Sequence, residues 1–310
     1  MGHAIEVEDL TKQFNGFTAV DHIDLQVHEG EIFGFLGPNG AGKTTTIRIL
    51  TGVIKPTGGT AKILGYDIQK EPLRAKQLMG TSPEMANAYV DLSAWQNLMF
   101  VGELYGVGKQ QRERTAEQML KHFDLYERRH QKLRKFSRGM MQRVIVAMSL
   151  MSRPRILFLD EPTSGLDVES SRTIHNLVRR FSKEGKTVFL TTHNIEEANQ
   201  LCDRVAIINK GRIAAIDTPE KLKRTIRGVQ SVEVSFDRYV DIENELGLTG
   251  VHRIERRGDK FRLYTEVPGK VACELADYAK KEKLDIVTIN TLGPSLEDVF
   301  LELTREAERK

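Results

Sequence analysis

Glu31 to Thr46 reads EIFGFLGPNGAGKTTT. The first six residues are mostly apolar, as in a strand covered on both faces, and Thr45 to Leu50 continues as the first turns of a helix. Between them Gly37 to Thr44, GPNGAGKT, matches G-x-x-x-x-G-K-[ST] in the strand–loop–helix context that gives the pattern its meaning. Glycines let such a loop curl until several backbone N–H groups converge on phosphate oxygens, and the helix behind it adds its positive end. Lys43 brings a full charge to the terminal phosphates of a nucleotide, and Thr44 brings a hydroxyl for Mg²⁺. The stretch defines a phosphate site on an α/β sheet.

Ile156 to Glu161, ILFLDE, reads as a second buried strand, and it ends on two carboxylates. Open α/β sheets bind ligands at the carboxyl ends of their strands. Asp160 is thus placed to hold Mg²⁺, and Glu161 to orient or deprotonate the water attacking a γ-phosphate. Alone, an Asp-Glu pair after a strand reads as a helix cap; beside a phosphate loop it reads as a hydrolytic site. Thr191-Thr192-His193 ends a third such strand, which aims His193 at a γ-phosphate oxygen.

Val205 to Ile208 is a further continuous apolar run, and Lys210-Gly211 marks a hairpin to Ile213 at the sheet edge. Ile5 and Val7, then Ile23, Leu25 and Val27, alternate with polar residues as half-buried strands do. From about residue 90 to 150 the period turns helical: Ala116, Met119, Leu120 and Phe123 share one face, and no strand candidate interrupts. Thr218-Pro219 marks a boundary, with Lys221 to Arg227 (KLKRTIR) as a charged connector. A small α+β unit follows, with strands at Val232 to Phe236, Phe261 to Thr265 and Ile286 to Ile289 and a helix over Val271 to Ala279. Ser295 to Asp298 (SLED) resembles a capping box opening a helix whose Leu296, Val299, Phe300 and Leu303 form one face.

The 310 residues allow about two domains, and 40% hydrophobic with 29% charged residues is globular composition. Disorder, collagen and a disulfide scaffold are excluded. Cys202 and Cys273 are too few for a secreted framework and suit a reducing cytosol. Lys plus Arg is 46 against 43 Asp plus Glu, a balance that disfavours nucleic acid as the main ligand. The basic stretch Arg128 to Lys135 lacks interleaved aromatics and reads as a solvated helix face. No apolar run approaches the roughly 18 residues of a membrane helix, and MGHAIEVEDL is no signal peptide, so a membrane role is expected only through a partner.

In this order, GPNGAGKT, FSRGMMQR (Phe136 to Arg143), ILFLDEP, SGLD (Ser164 to Asp167) and His193 resemble an ATP-binding cassette (ABC) ATPase over about residues 3–220. PSLEDVFLELT, Pro294 to Thr304, is similar to the C-terminal extension of the daunorubicin-resistance-type exporter subunits. The resemblance implies a P-loop ABC ATPase core over 1–222, mostly parallel sheet with an antiparallel edge sheet and a helical subdomain at about 90–150. A C-terminal α+β accessory domain over 223–310 completes it. It implies ATP gripped by Gly37, Pro38, Asn39, Gly40, Ala41, Gly42, Lys43, Thr44 and Thr45, with adenine on Phe14 and Phe17 as the competing ring. Mg²⁺ falls to Thr44, Asp160 and Glu84; Glu84 stands where the family usually has Gln and adds a negative charge. Ser137, Arg138 and Gly139, with Asp167 of SGLD, are implied nucleotide contacts, the signature residues reading ATP held by the other subunit. Arg138 and Met140 depart from the usual Gly and Gln, and a cation near ATP is electrostatically acceptable. A head-to-tail homodimer, an integral membrane permease and the cytoplasmic face of a membrane follow as expectations, with Glu161 and His193 catalytic. The competing classes are a soluble ABC ATPase acting on nucleic acid or ribosomes, a P-loop kinase, which has no use for FSRGM, and an ATP-sensing regulator, which has none for Glu161.

Overall fold

The computed structural model describes residues 2–84, 88–225, 230–238, 240 and 249–309. The chain divides into two compact units, Met1–Pro219 and Glu220–Lys310.

The first unit is built on a six-stranded sheet in the order β10-β9-β3-β8-β7-β6: Arg212–Asp217, Arg204–Asn209, Ile32–Leu36, Thr187–Thr192, Ile156–Asp160 and Met79–Ser82. All neighbours run parallel except the β9–β10 hairpin at the edge. A second, antiparallel sheet has the order β2-β1-β4-β5, from Phe17–His28, His3–Phe14, Gly58–Ile63 and Tyr66–Asp67. Helix α1 (Lys43–Leu50) joins them in one core, where Ile5, Leu10 and Ile23 meet Ile47, Phe33, Phe35, Phe158 and Phe189. Phe189 sits among three rings, with centroids 5.5 to 5.7 Å away. β3, β7 and β8 are buried at every residue, which explains their unbroken apolar sequences.

Helices α2 (Pro72–Gln77), α3 (Ala94–Leu104), α4 (Lys109–His122), α5 (Arg138–Ser149), α6 (Val168–Lys183) and α7 (Ile195–Leu201) complete this unit. The α3–α5 region consists of helices joined by turns, with two short 3₁₀ turns at Tyr126–Arg128 and Leu133–Lys135 and a lone bridge between Ser93 and Lys132. Ala116, Leu120 and Phe123 are fully buried and Met119 half-buried, as the spacing requires. α3 opens on a capping box in which Ser93 and Gln96 satisfy each other's backbone N–H groups.

The charged connector departs from expectation: Pro219–Thr225 is a helix, α8, with Leu222 buried. Pro219 opens it, Glu220 sits in the first turn, and Lys223 and Arg224 in the last, a charge order that complements the helix dipole. Ile226 and Arg227 lie outside the described residues.

The second unit is an antiparallel sheet in the order β12-β13-β11-β14, from Val251–Arg257, Lys260–Thr265, Gln230–Phe236 and Ile286–Leu292. α9 (Pro268–Glu282) covers it through Val271, Leu275 and Tyr278, and α10 (Leu296–Arg309) follows. β12 was not expected from the sequence, because VHRIERR carries too many charges to read as a strand. As an edge strand it tolerates them.

SLED forms the capping box: Asp298 N donates to Ser295 Oγ, and Ser295 N donates to Asp298 Oδ2. The same carboxylate takes the buried Arg262 guanidinium at 3.0 Å, and Arg262 Nε donates to Ser231 Oγ. Burial beside Asp298 pushes the Tyr264 hydroxyl up to about 12. Asp298→Ala leaves Arg262 buried and unpaired, so it is expected to destabilise this unit by about 3 kcal/mol, read as a lower urea midpoint at unchanged slope. Burial alone would raise the Asp298 carboxyl, but the Ser295 bonds and the Arg262 charge bring it below its ordinary value. Its stabilisation is therefore present at neutral pH and is lost as pH falls through that lowered pKa. A variant within about 0.5 kcal/mol of wild type contradicts this account.

Candidate active site

β3, β8 and β7 are neighbours in the sheet, so the three motifs at their carboxyl ends open side by side. Gly37 N donates to Thr192 O and Glu161 N to Thr191 O, each at 3.2 Å, which ties the strand exits together. Gly42, the residue before α1, lies at φ 107, and a Cβ there would stand 2.4 Å from Ala19 O. Only glycine fits. Ala41 is buried beneath the loop, while Asn39 and Gly40 are exposed at its crest.

Lys43 is buried, and its Nζ donates to Gly37 O (2.6 Å) and Pro38 O (3.0 Å). The same ammonium pairs with Glu161 Oε1 at 3.2 Å. Glu161 is buried too, at φ 49, a left-handed backbone that costs a non-glycine residue about 1 kcal/mol. Its Oε2 lies 2.8 Å from His193 Nδ1. A carboxylate only accepts, so that nitrogen carries the proton. His193 is about half exposed, with a side-chain accessibility of 47%.

Thr44 Oγ1 donates to Asp160 Oδ1 at 3.3 Å, and Thr191 Oγ1 donates to the same oxygen at 2.6 Å. Burial pushes the Asp160 carboxyl up, with the adjacent Glu161 adding to it; the two threonine bonds and Lys43 offset only part. A carboxyl in that condition is short of positive charge. Two hard oxygens facing each other, one of them in need of a cation, fit Mg²⁺.

A cleft of about 450 Å³ lies over the loop, lined by Asn39, Lys43, Thr44, Glu84, Glu161 and the ring of Phe14. Glu84 is exposed just past β6 and also borders a second cleft with Thr44 and Asp160. Phe17 lines the first cleft as well. Asn15 and Gly16, at φ 43 and 87, turn β1 into β2 and set Phe14 opposite Phe17 at the hairpin tip. Both rings are exposed, at 44% and 64%, so neither is a core aromatic. No hairpin was read here from the sequence, although Asn15-Gly16 between strand-like runs signals one.

The signature residues lie elsewhere. Ser137 caps α5, accepting from Met140 N at 3.2 Å. Gly139 is packed so closely that a Cβ would meet Ser170 Oγ at 2.3 Å. Arg138 Nη2 donates to Ser164 O at 3.0 Å, and its guanidinium covers Gly165, so within the chain this cation serves the SGLD loop. Asp167, expected as a nucleotide contact, caps a helix within the chain. Its carboxylate is engaged as the N-cap of α6, accepting from Ser170 N (2.8 Å) and Ser170 Oγ (3.0 Å). None of Ser137, Arg138, Gly139 and Asp167 lines the cleft over Lys43.

A phosphate loop, a carboxylate and an imidazole at adjacent strand ends define a nucleotide-binding α/β protein. The ABC transporter family profile matches residues 20–164, and that of the DrrA1-3-like ATP-binding protein C-terminal domain matches 218–304. The chain is 36% identical to the daunorubicin/doxorubicin resistance ATP-binding protein DrrA of Streptomyces peucetius, spanning 97% of this chain and 92% of that one. It is 34% identical to Nod factor export ATP-binding protein I of Cupriavidus pinatubonensis, spanning 97% and 90%. A dimeric ATP-binding cassette in a post-hydrolysis state with ADP and Pi superposes with a TM-score of 0.64 at 25% identity, over 69% of this chain and 98% of that one. The chain belongs to the ATP-binding subunits of ABC transporters, of the daunorubicin-resistance type. These subunits are transport ATPases, and a cassette acting on nucleic acid or ribosomes is not favoured. Among the described residues no helix is long and apolar enough to cross a membrane.

Proposed function

We propose that this chain is the ATP-hydrolysing subunit of an exporter, working as half of a head-to-tail homodimer under a separate membrane permease at its cytoplasmic face. Residues 1–222 form the ATPase domain, with its helical subdomain at about 90–150, and 223–310 an accessory domain. The carrying observation is the cluster in which Glu161 meets Lys43, at the start of α1, at 3.2 Å and His193 at 2.8 Å.

An arriving γ-phosphate competes with Glu161 for Lys43 Nζ, and the two carbonyls that hold the ammonium keep it aimed at the loop. Released from Lys43, Glu161 is left to His193 and to the attacking water, which it orients or deprotonates. His193, held through Nδ1 by Glu161, keeps its other ring nitrogen for a phosphate oxygen. Mg²⁺ would be held by Thr44 and Asp160, with Glu84 at the rim, and would neutralise charge on the terminal phosphates. Phe14 takes the adenine, at the tip of a hairpin bordering the same cleft.

Ser137 and Gly139 stand at the amino end of α5, outside that cleft, where the positive end of the helix favours a phosphate. A second copy supplies that ligand, so each ATP is held by Lys43 of one chain and Ser137 of the other. Hydrolysis removes the phosphate both chains grip, and the pair loosens. A cleft of about 730 Å³ between α1, β6 and α3 supports the permease contact. There Val53, Leu104 and Tyr105 are exposed, an apolar patch that reaches down to Thr44 and Glu84.

The test is sedimentation of the full-length Glu161→Gln chain. A dimer in Mg·ATP and a monomer in Mg·ADP are expected. A chain that stays monomeric in Mg·ATP, alone and with its permease, sinks the reading.

A further inference from the structure

Past the strand ends, the two catalytic segments leave the sheet and lose its ladder. After Glu161 the chain is a loop as far as Asp167, closed by turn bonds from Ser164 N to Glu161 O and from Leu166 N to Thr163 O. After His193 it enters α7, capped by Asn194. Beside both lies an open cleft of about 700 Å³, bordered by Glu161, Thr163, His193 and Glu197. The loop borders this cleft, and Glu161 within it sits in a left-handed conformation that calls for restraint.

Across the gap, Thr163 Oγ1 donates to Glu197 Oε1 at 2.7 Å. Thr163 is two residues beyond Glu161, and Glu197 four beyond His193. The Glu197 side chain is 2% exposed and is held from the other side by His175 Nε2 of α6, at 2.8 Å from the same oxygen. Burial alone would raise the Glu197 carboxyl, but bonds from His175, Thr192 and Thr163 bring it below its ordinary value, so it stands as a carboxylate between the two segments.

We propose that Glu197, braced by His175, is a positioning residue for hydrolysis: through Thr163 it fixes the loop carrying Glu161 against the helix that follows His193, and so sets the spacing of the catalytic pair. The proposal rests on the ATPase reading above. It requires that loosening the tether slow the chemical step while leaving nucleotide binding alone, since neither Thr163 nor Glu197 borders the cleft over Lys43.

The experiment uses the full-length chain with Mg·ATP. Thr163→Val keeps the shape and removes the hydroxyl. It is expected to lower kcat about tenfold, with KM and the Kd for ATP within about twofold of wild type and an unchanged Tm. Thr163→Ser, which restores the hydroxyl, is expected to recover most of the rate. Glu197→Ala, which removes the acceptor, is expected to behave as Thr163→Val does; should it fail to fold, the two Thr163 variants decide alone. Full kcat in Thr163→Val, a parallel loss of ATP affinity, or no recovery in Thr163→Ser overturns the proposal while the ATPase reading stands. A wild-type chain that binds Mg·ATP and never turns it over overturns both.

Discussion

Glu161→Gln is expected to cut ATP turnover by about a hundredfold or more while ATP stays bound. The amide keeps the size of the side chain and one acceptor oxygen, so the contact with His193 survives in outline, but it takes up no proton. Losing a positioned general base costs about 10²- to 10⁴-fold. Binding moves in the opposite sense, because Glu161 occupies Lys43 before nucleotide arrives and then stands as a like charge beside the γ-phosphate. ATP affinity should therefore hold or improve. Single-turnover hydrolysis and equilibrium titration with labelled ATP separate the two quantities. Turnover within a few-fold of wild type would remove Glu161 from the chemistry.

Lys43→Ala is expected to weaken ATP binding by about a hundredfold, some 2.7 kcal/mol. Charge-assisted hydrogen bonds are each worth about 1.5–3 kcal/mol, and this ammonium is held by two backbone carbonyls at the place where phosphate enters. The deletion also strands Glu161, whose side chain is 7% exposed, next to a gap where its partner was. A loss of stability thus accompanies the loss of binding. The double variant Lys43→Ala with Glu161→Gln separates them: the neutral amide relieves the stranded charge and recovers stability, whereas ATP binding stays lost. Calorimetric titration with Mg·ATP and urea unfolding read the two effects. Unchanged ATP affinity in Lys43→Ala would detach the loop from the nucleotide.

The carboxyl edge of the sheet was legible because its signals are local. GPNGAGKT, ILFLDE and TTH each couple a run of apolar residues to polar ones at its end, and parallel strands always present that end to the crevice. The hairpin carrying Phe14 and Phe17 was legible in principle from Asn15-Gly16. Charge obscured β12 and α8. An edge strand and a short exposed helix accept charges that a rule built on burial reads as loop.

Sequence by itself determined the class of the fold, the phosphate loop, the acid at 161 and the histidine at 193, since each depends on residues adjacent in the chain. Tertiary structure alone decided which groups meet: Lys43 with Glu161, Arg138 with the Ser164 carbonyl, Thr163 and His175 with Glu197. Those pairings span up to 118 positions (161 − 43) and follow from strand order, which brings β3, β8 and β7 side by side. A hydrogen bond acts over about 3 Å of space and is indifferent to separation along the chain. The order of the strands, set by the packing of both sheets around one core, therefore had to be seen before the partners were known.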